Sequence, residues 1–134
     1  AKREGDGHTP DGVHAIGLAF GYATTCATKL AYRTATANDR WVDEPESESY
    51  NRWVEGDPGV SCEVLRRDDH QYELAFVIEW NTNPVVKGRG SAIFAHVWKE
   101  PGQATSGCVA MAREDLERLL AWLDRARKPV IVVR

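Results

Sequence analysis

The segments Ser91-Ala-Ile-Phe-Ala-His96 and Thr105-Ser-Gly-Cys-Val109 lie close together in the sequence, with a short polar loop between them. Apolar residues alternate from Ser91 to Trp98, which predicts a strand with His96 near its end. Gly107 precedes Cys108, and an amphipathic helix follows. Thirteen residues, from His96 to Cys108, thus hold candidates for a base, a nucleophile and an oxyanion-binding loop.

The helix is predicted over Met111–Arg127 by the spacing of its leucines. Leu116, Leu119, Leu120 and Leu123 recur at i, i+3, i+4 and i+7, and acidic residues stand in the first turn. Its N-terminus is weakly capped, because Ala112 stands where a serine or aspartate would serve better.

Alternating apolar residues predict further strands over Val13–Phe20, Tyr72–Trp80 and Val130–Val133. The strand over Tyr72–Trp80 is expected to have one face on the core. Residues 61–67 fit either a short strand or a helix. Residues 22–60 lack a periodic pattern but contain several aromatics, so we expect a long surface loop packed by its own side chains. The predicted fold is mostly β, a β-sandwich or mixed sheet, with one principal α-helix near the C-terminus.

Composition narrows the class of protein. A chain of 134 residues with 43% hydrophobic and 28% charged residues predicts one globular domain. The net charge is −3 and the basic residues are dispersed, which argues against a nucleic-acid partner. No run approaches the roughly 18 apolar residues of a membrane helix.

The three cysteines are Cys26, Cys62 and Cys108, and none stands in a close pair. Structural zinc sites use close ligand pairs, so no metal is expected, and nothing points to an organic cofactor. In an exported protein Cys26 and Cys62 are the natural disulfide partners, with Cys108 the free thiol. In a cytosolic protein all three would be reduced.

Cys108 is the candidate nucleophile. A free cysteine has a pKa of about 8.5, so an imidazole such as that of His96 must take its proton at neutral pH. A helix N-terminus downstream would favour the thiolate. Gly107 leaves room for a substrate, nearby N–H groups could face an oxyanion, and Thr105 and Ser106 add donors. A buried, structural Cys108 is the alternative.

His96 with Thr105-Ser-Gly-Cys-Val109, followed by a helix and a last strand, resembles the L,D-transpeptidase (YkuD-like) catalytic domain. The opening Gly5-Asp-Gly-His-Thr-Pro-Asp-Gly12 is similar to that family's Gly-x-x-Thr-Pro-x-Gly turn. Asn38–Asp43 and Tyr50-Asn-Arg-Trp53 resemble segments of one branch. Here Ser106 replaces the family's histidine before glycine, Ala110 stands where arginine or asparagine is expected, and the loop before Thr105 is shorter.

The resemblance implies a single catalytic domain over residues 1–134, lacking the N-terminal strands that usually precede the Thr-Pro turn. It implies a cysteine acyltransferase that acts on peptidoglycan stem peptides through a Cys108 thioester, with His96 as the base and Gly107 beside the nucleophile. The carbonyl of Val97 or a neighbour would fix the imidazole tautomer. Substrate contacts are expected at Ser106, Thr105, Trp98, Tyr50 and Asn51.

The resemblance also implies an exported protein, in the periplasm or cell wall, that carbapenem-type β-lactams could acylate. We expect a monomer. Acidic residues from Asp43 to Glu48 could attract a cationic acyl acceptor, although a solvated loop is the simpler interpretation. Two other functions stay open: an L,D-carboxypeptidase or amidase that hydrolyses the same thioester, and a non-catalytic wall-binding module that stacks sugars on its tryptophans.

Overall fold

A computed structural model describes residues 1–134 as nine strands, one α-helix and one 3-10 turn. The strands are β1 (Gly12–Gly21), β2 (Tyr32–Thr34), β3 (Asp39–Val42), β4 (Trp53–Glu55), β5 (Cys62–Val64), β6 (Leu74–Ile78), β7 (Phe94–Val97), β8 (Val109–Met111) and β9 (Val130–Val133). Helix α1 is Arg113–Trp122, and the 3-10 turn is Arg125–Arg127. The prediction of a mostly β fold with one helix near the C-terminus is confirmed.

A mixed six-stranded sheet forms the centre, in the order β2-β1-β6-β7-β8, with β9 paired to β1. The β1–β6 and β6–β7 pairs are antiparallel, whereas β7 and β8 are parallel. A parallel pair needs a long connection between its strands, which the loop over residues 98–108 supplies. His96 is the register partner of Ala110, so the strand that follows Cys108 runs directly beside the strand that carries the histidine.

A second sheet of three antiparallel strands, β4-β3-β5, covers one face of the central sheet. Between the sheets the ring of Phe94 meets Phe20, Trp41 and Tyr72 edge-on, with centroid distances of 5.1, 5.1 and 5.6 Å. Edge-to-face pairs add to the stabilisation that burial alone provides. The aromatics of the irregular stretch therefore pack into the core between two sheets.

Helix α1 covers the opposite face of the central sheet. Leu116 and Leu120 are fully buried and pack with Phe76 and Ala95. Burying a leucine side chain contributes about 1.5–3 kcal/mol, so these residues hold the helix in place. Ala112 at the N-terminus makes no side-chain cap, as its identity predicts.

Three expectations from the sequence need correction. The stretch 22–60 contains strands β2, β3 and β4 and is not one long loop. Every residue of β6 is buried, because the strand lies between the helix and the second sheet and has no solvent face. Helix α1 is shorter than the predicted range Met111–Arg127: Met111 lies in β8, the helix ends at Trp122, and Arg125 and Arg127 lie in the 3-10 turn.

Asn51 joins the second sheet to both ends of the β6–β7 connection. Its Oδ1 accepts hydrogen bonds from Trp41 Nε1 at 2.8 Å and from the Ala92 N–H at 3.1 Å. Its Nδ2 donates to the carbonyls of Trp80 and Asn81, at 3.1 and 2.7 Å. The residue is buried and has φ +57°, a conformation that asparagine adopts more readily than most residues. One amide thus satisfies polar groups of three segments.

Replacing Asn51 with alanine should lower the free energy of unfolding by about 2–4 kcal/mol, since buried polar groups lose their partners. Denaturant unfolding under reducing conditions would measure the loss. Asn38→Ala, at an exposed turn position, is the matched control and should change the free energy by about 0.5 kcal/mol or less. Equal losses in the two variants would contradict the linking role of Asn51.

Candidate functional site

A cavity of about 340 Å³ contains both His96 and Cys108 in its lining. The end of β7 and the loop over residues 99–106 form one side, and the second sheet and the N-terminal segment form the other. The structure therefore brings together the two residues that the sequence singled out as base and nucleophile. Most of the remaining lining is polar or charged.

His96 is buried in β7, and its imidazole is fixed by the backbone. Its Nδ1 lies 2.7 Å from the carbonyl oxygen of Val97, the partner that the resemblance implied. A carbonyl can only accept, so Nδ1 carries the proton and Nε2 has a free lone pair. Burial lowers the pKa of His96, and the charge of Arg67 lowers it further. The side chain is therefore a neutral imidazole able to accept a proton.

Cys108 lies in the last loop position before β8, with its sulfur against the start of β7. Its Sγ accepts a hydrogen bond from the Phe94 N–H at 3.4 Å and donates to the Ala92 carbonyl at 3.3 Å. Burial raises the pKa of Cys108 to about 11, and Glu63 contributes in the same direction. At neutral pH the residue is a thiol, so it needs a base to become a nucleophile.

The expected help from a helix N-terminus is not found. Helix α1 begins at Arg113, five residues after Cys108, and strand β8 lies between them. The effect of a helix dipole falls off within the first turn, so it does not reach the sulfur. His96, on the same strand whose backbone holds the sulfur, is the candidate base that lines the cavity with Cys108.

Gly107 cannot be replaced without strain. Its φ is +125°, and a Cβ at this position would lie 3.0 Å from the carbonyl oxygen of His8. Thr105 Oγ1 donates a hydrogen bond to the carbonyl of Cys108 and closes the turn. The hydrogen bonds outside helices and strands do not use the N–H groups of Gly107 and Cys108. The loop is thus tightly folded, and the N–H groups of Gly107 and Cys108 are free to donate hydrogen bonds.

Ala92 links the thiol to the rest of the fold. It has φ +53°, which is unusual for a residue with a Cβ and costs about 1–3 kcal/mol. Its N–H donates to Asn51 and its carbonyl accepts from Cys108, so both backbone groups are used. This strained residue aims a carbonyl at the thiol, and Asn51 helps to hold it there.

Of the five predicted substrate contacts, two line the cavity. Ser106 is exposed and Thr105 is half-buried at its rim. Trp98 lies outside the lining, and its backbone carbonyl binds His70 at 3.0 Å.

Tyr50 and Asn51 are also absent from the cavity lining, and the substrate contacts predicted for them do not fit their positions. Tyr50 is buried, donates to Glu4 at 2.8 Å and accepts from the Gly90 N–H at 3.0 Å. The four hydrogen bonds of Asn51 leave its amide no free donor or acceptor. Both residues support the segments that form the cavity.

For several cavity residues the sequence pattern does not indicate a place at a functional site. Arg67 belongs to Arg66-Arg67-Asp68-Asp69, which looks like an ordinary charged turn, and Glu63 lies in a segment without a clear period. Tyr72 belongs to a segment whose alternation indicated only a core strand, yet its ring meets His96 edge-on at 5.3 Å. Only the folded arrangement of distant strands brings these groups to the thiol.

Of the acidic stretch from Asp43 to Glu48, only Asp43 lines the cavity. Asp43 and Glu63 line it, and Asp43 Oδ1 is buried without a hydrogen-bond partner. Burial and the neighbouring Asp43 raise the pKa of Glu63. The residues Glu44, Glu46 and Glu48 lie outside the lining, and Glu46 pairs with Lys87 at 3.5 Å.

The tryptophans do not form a sugar-stacking platform. Trp41 is buried and bonded to Asn51, Trp53 lies beneath the guanidinium of Arg33 at 4.2 Å, and Trp80 donates to the Arg89 carbonyl at 3.0 Å. The exposed Trp122 stands on helix α1, away from the cavity. This arrangement does not favour a wall-binding module.

The three cysteines are free, and Cys26 and Cys62 lie apart. Cys26 packs near the helix-side core, whereas Cys62 belongs to the second sheet. No group of three or more histidine, cysteine, aspartate or glutamate side chains is placed to hold a metal ion.

The fold and the cavity define a two-sheet domain whose cavity is lined by a thiol and an imidazole. The family model for the L,D-transpeptidase catalytic domain (YkuD) matches residues 1–132, so the chain belongs to that family. Neither the curated proteins nor the solved structures gave a match. Membership supports an L,D-transpeptidase-type enzyme of peptidoglycan metabolism. Domains of this family are usually extracellular or periplasmic. No helix has the length and apolar character needed to cross a membrane.

The charges around Cys108 predict two opposite shifts of its pKa. Glu63→Gln removes a negative charge and should lower the pKa of the thiol, whereas Lys2→Gln removes a positive charge and should raise it. The pH dependence of alkylation, read by mass spectrometry of the Cys108 peptide, would measure both. Glu114→Gln, at an exposed position of α1, is the control and should have no effect. Shifts of the same sign in both cavity variants would contradict this account.

Proposed function

We propose that the protein is an L,D-transpeptidase that acts on peptidoglycan stem peptides through a Cys108 thioester, with His96 as the general base. The observation that carries the proposal is the common cavity of a protonated thiol and a neutral imidazole whose Nε2 is free. Family membership supports the reaction class and the peptidoglycan substrate. The finer assignments rest on the chemistry of the two side chains.

In the first half-reaction the thiol proton moves to His96 Nε2 and Cys108 Sγ attacks the carbonyl of the L-centre of the donor stem. The hydrogen bond from the thiol to the Ala92 carbonyl breaks as the sulfur turns toward the substrate. The N–H groups of Gly107 and Cys108 stabilise the oxyanion that forms. The C–N bond then breaks, and His96 returns the proton to the leaving amine of the terminal D-amino acid.

In the second half-reaction the amine of a second stem attacks the thioester. His96 removes a proton from this amine, the new C–N bond forms, and the C–S bond breaks. The proton passes back to the sulfur, which restores the thiol. Attack by water in place of the amine would release a shortened stem, and the protein would then be an L,D-carboxypeptidase or amidase. Product analysis with purified stem peptides distinguishes a cross-linked from a hydrolysed product.

Carbapenem acylation tests the nucleophile. We expect one covalent adduct, on Cys108, because the thiol opens the β-lactam ring as it would attack a stem carbonyl. Cys108→Ala should form no adduct, whereas Cys26→Ser should form it as the wild type does. His96→Ala should slow acylation by about a hundredfold or more. Intact-mass and peptide-mass measurements follow the reaction.

Carbapenem acylation can also contradict the proposal. A folded wild-type protein that forms no adduct with a carbapenem and releases no D-amino acid from a stem peptide would not be an acyltransferase of this kind. An adduct confined to Cys26 or Cys62 would exclude Cys108 as the nucleophile.

The pH dependence of acylation reports on His96. Burial lowers the pKa of His96 from its ordinary value of 6.5, and only the neutral imidazole can accept a proton. The rate should therefore rise with pH along a limb centred below 6.5 and then reach a plateau. Stopped-flow acylation across the acidic range would measure the limb. A midpoint at or above 6.5 would show that the imidazole is not the buried, neutral group described.

A further inference from the structure

Arg67 presents a guanidinium of fixed orientation to the cavity. Its Nε lies 3.1 and 3.2 Å from the two carboxylate oxygens of Asp69, and its Nη2 lies 2.9 Å from Oδ2. Gln71 donates to the same carboxylate from its backbone N–H at 3.0 Å and from its side chain at 2.8 Å. These donors hold the pKa of Asp69 far below its usual range, so the carboxylate stays charged and the guanidinium stays fixed.

The remaining nitrogen of this guanidinium is unused. Nη1 of Arg67 makes no hydrogen bond within the protein, although arginine has five N–H donors in a rigid fork. About a third of the side chain is exposed, and the residue lines the cavity. A planar guanidinium with free donors is the side chain best suited to a carboxylate.

Arg67 and the candidate base His96 both lie against the ring of Tyr72. Its guanidinium carbon lies 5.4 Å from the ring centroid of Tyr72, and that ring meets His96 at 5.3 Å. Its positive charge also acts on the pKa of His96, as the proximity requires. Lys2, another cation of the lining, is already bound to Asp6 at 2.7 Å and to the Arg3 carbonyl at 2.9 Å.

A leaving amino acid has its carboxylate close to the amine that receives the proton. The amine nitrogen and the carboxyl carbon are joined through one Cα and lie about 2.5 Å apart. Whatever binds the carboxylate must therefore lie near the group that protonates the amine. In the proposed reaction that group is His96. Of the cations that line the cavity, Arg67 is the one that shares the ring of Tyr72 with His96 and acts on its pKa, and it has a free N–H donor.

We propose that Arg67 binds the free carboxylate of the terminal D-amino acid of the donor stem, and so restricts the enzyme to peptides that end at the leaving residue. The inference rests on the proposed function and names the residue that recognises the terminal carboxylate of the donor stem. Arg67 orients the leaving group, so that its amine meets His96 as the C–N bond breaks.

Two donor peptides that differ at one group test this role. One ends in D-alanine, and the other ends in D-alanine amide, which lacks the negative charge. We expect the wild type to prefer the acid by about tenfold to a hundredfold in kcat/KM. Arg67→Gln should lower kcat/KM for the acid by that factor, chiefly through KM, so that its ratio of kcat/KM for acid to amide falls to about one. Arg67→Lys should retain part of the preference, since it keeps the charge without the fork.

Lys99→Gln is the matched variant, because Lys99 is another cation of the cavity lining but is exposed and makes no hydrogen bond. It should keep the preference for the acid. Thermal unfolding monitored by circular dichroism would show that the variants are folded, and Arg67→Lys provides a milder substitution if Arg67→Gln is not.

The outcomes separate this inference from the proposed function. Equal turnover of acid and amide by a wild type that forms the carbapenem adduct would overturn the role of Arg67 and leave the acyltransferase intact. Loss of the preference in Lys99→Gln but not in Arg67→Gln would likewise overturn it. Absence of both adduct and turnover would remove the proposed function, and the role of Arg67 with it.

Discussion

The hydrogen bonds of the Asn51 amide are the constraint on which the cavity depends. The residue connects the second sheet, through Trp41, to the end of the β6 segment and to Ala92 before β7. Because the amide is buried, each of these bonds is made without competition from water. Ala92 can then keep its strained backbone, which directs a carbonyl at Cys108. The second sheet thus helps to fix the thiol through Asn51 and Ala92.

A second constraint comes from the N-terminal turn. The carbonyl of His8 lies so close to Gly107 that a side chain there would collide with it. The turn over residues 5–12 therefore packs against the loop that carries the nucleophile, although almost a hundred residues separate them in the sequence. This contact gives a physical reason for the glycine before the cysteine.

Local patterns predicted the fold and the central pair of the site. Alternation identified β1, β6 and β7, leucine spacing identified α1, and the motif around Cys108 singled out a loop that lines the cavity. The short strands β2 to β4 were missed, and β5 was left open between a strand and a helix, because three or four residues carry too little periodicity. Arg67 and Glu63 were missed for a different reason: their place at the cavity follows from packing between two sheets, which no local pattern encodes. Asn51 was predicted to contact substrate, but it lies outside the cavity lining and binds Trp41 and backbone groups of the protein. Its burial could not be predicted from its residue type alone.

Cys108 and His96 are both uncharged at neutral pH when no substrate is bound. The pKa of Cys108 is raised and that of His96 is lowered, both chiefly by burial, so at neutral pH the pair is a thiol and an imidazole. Alkylating and oxidising reagents attack the thiolate, and its scarcity protects the nucleophile while the cavity is empty. In the proposed reaction, a substrate that displaces the Ala92 carbonyl from the thiol leaves His96 to accept the proton. Reactivity would then arise with the bound substrate, because the same burial that suppresses the thiolate strengthens the interactions of the N–H groups with the oxyanion.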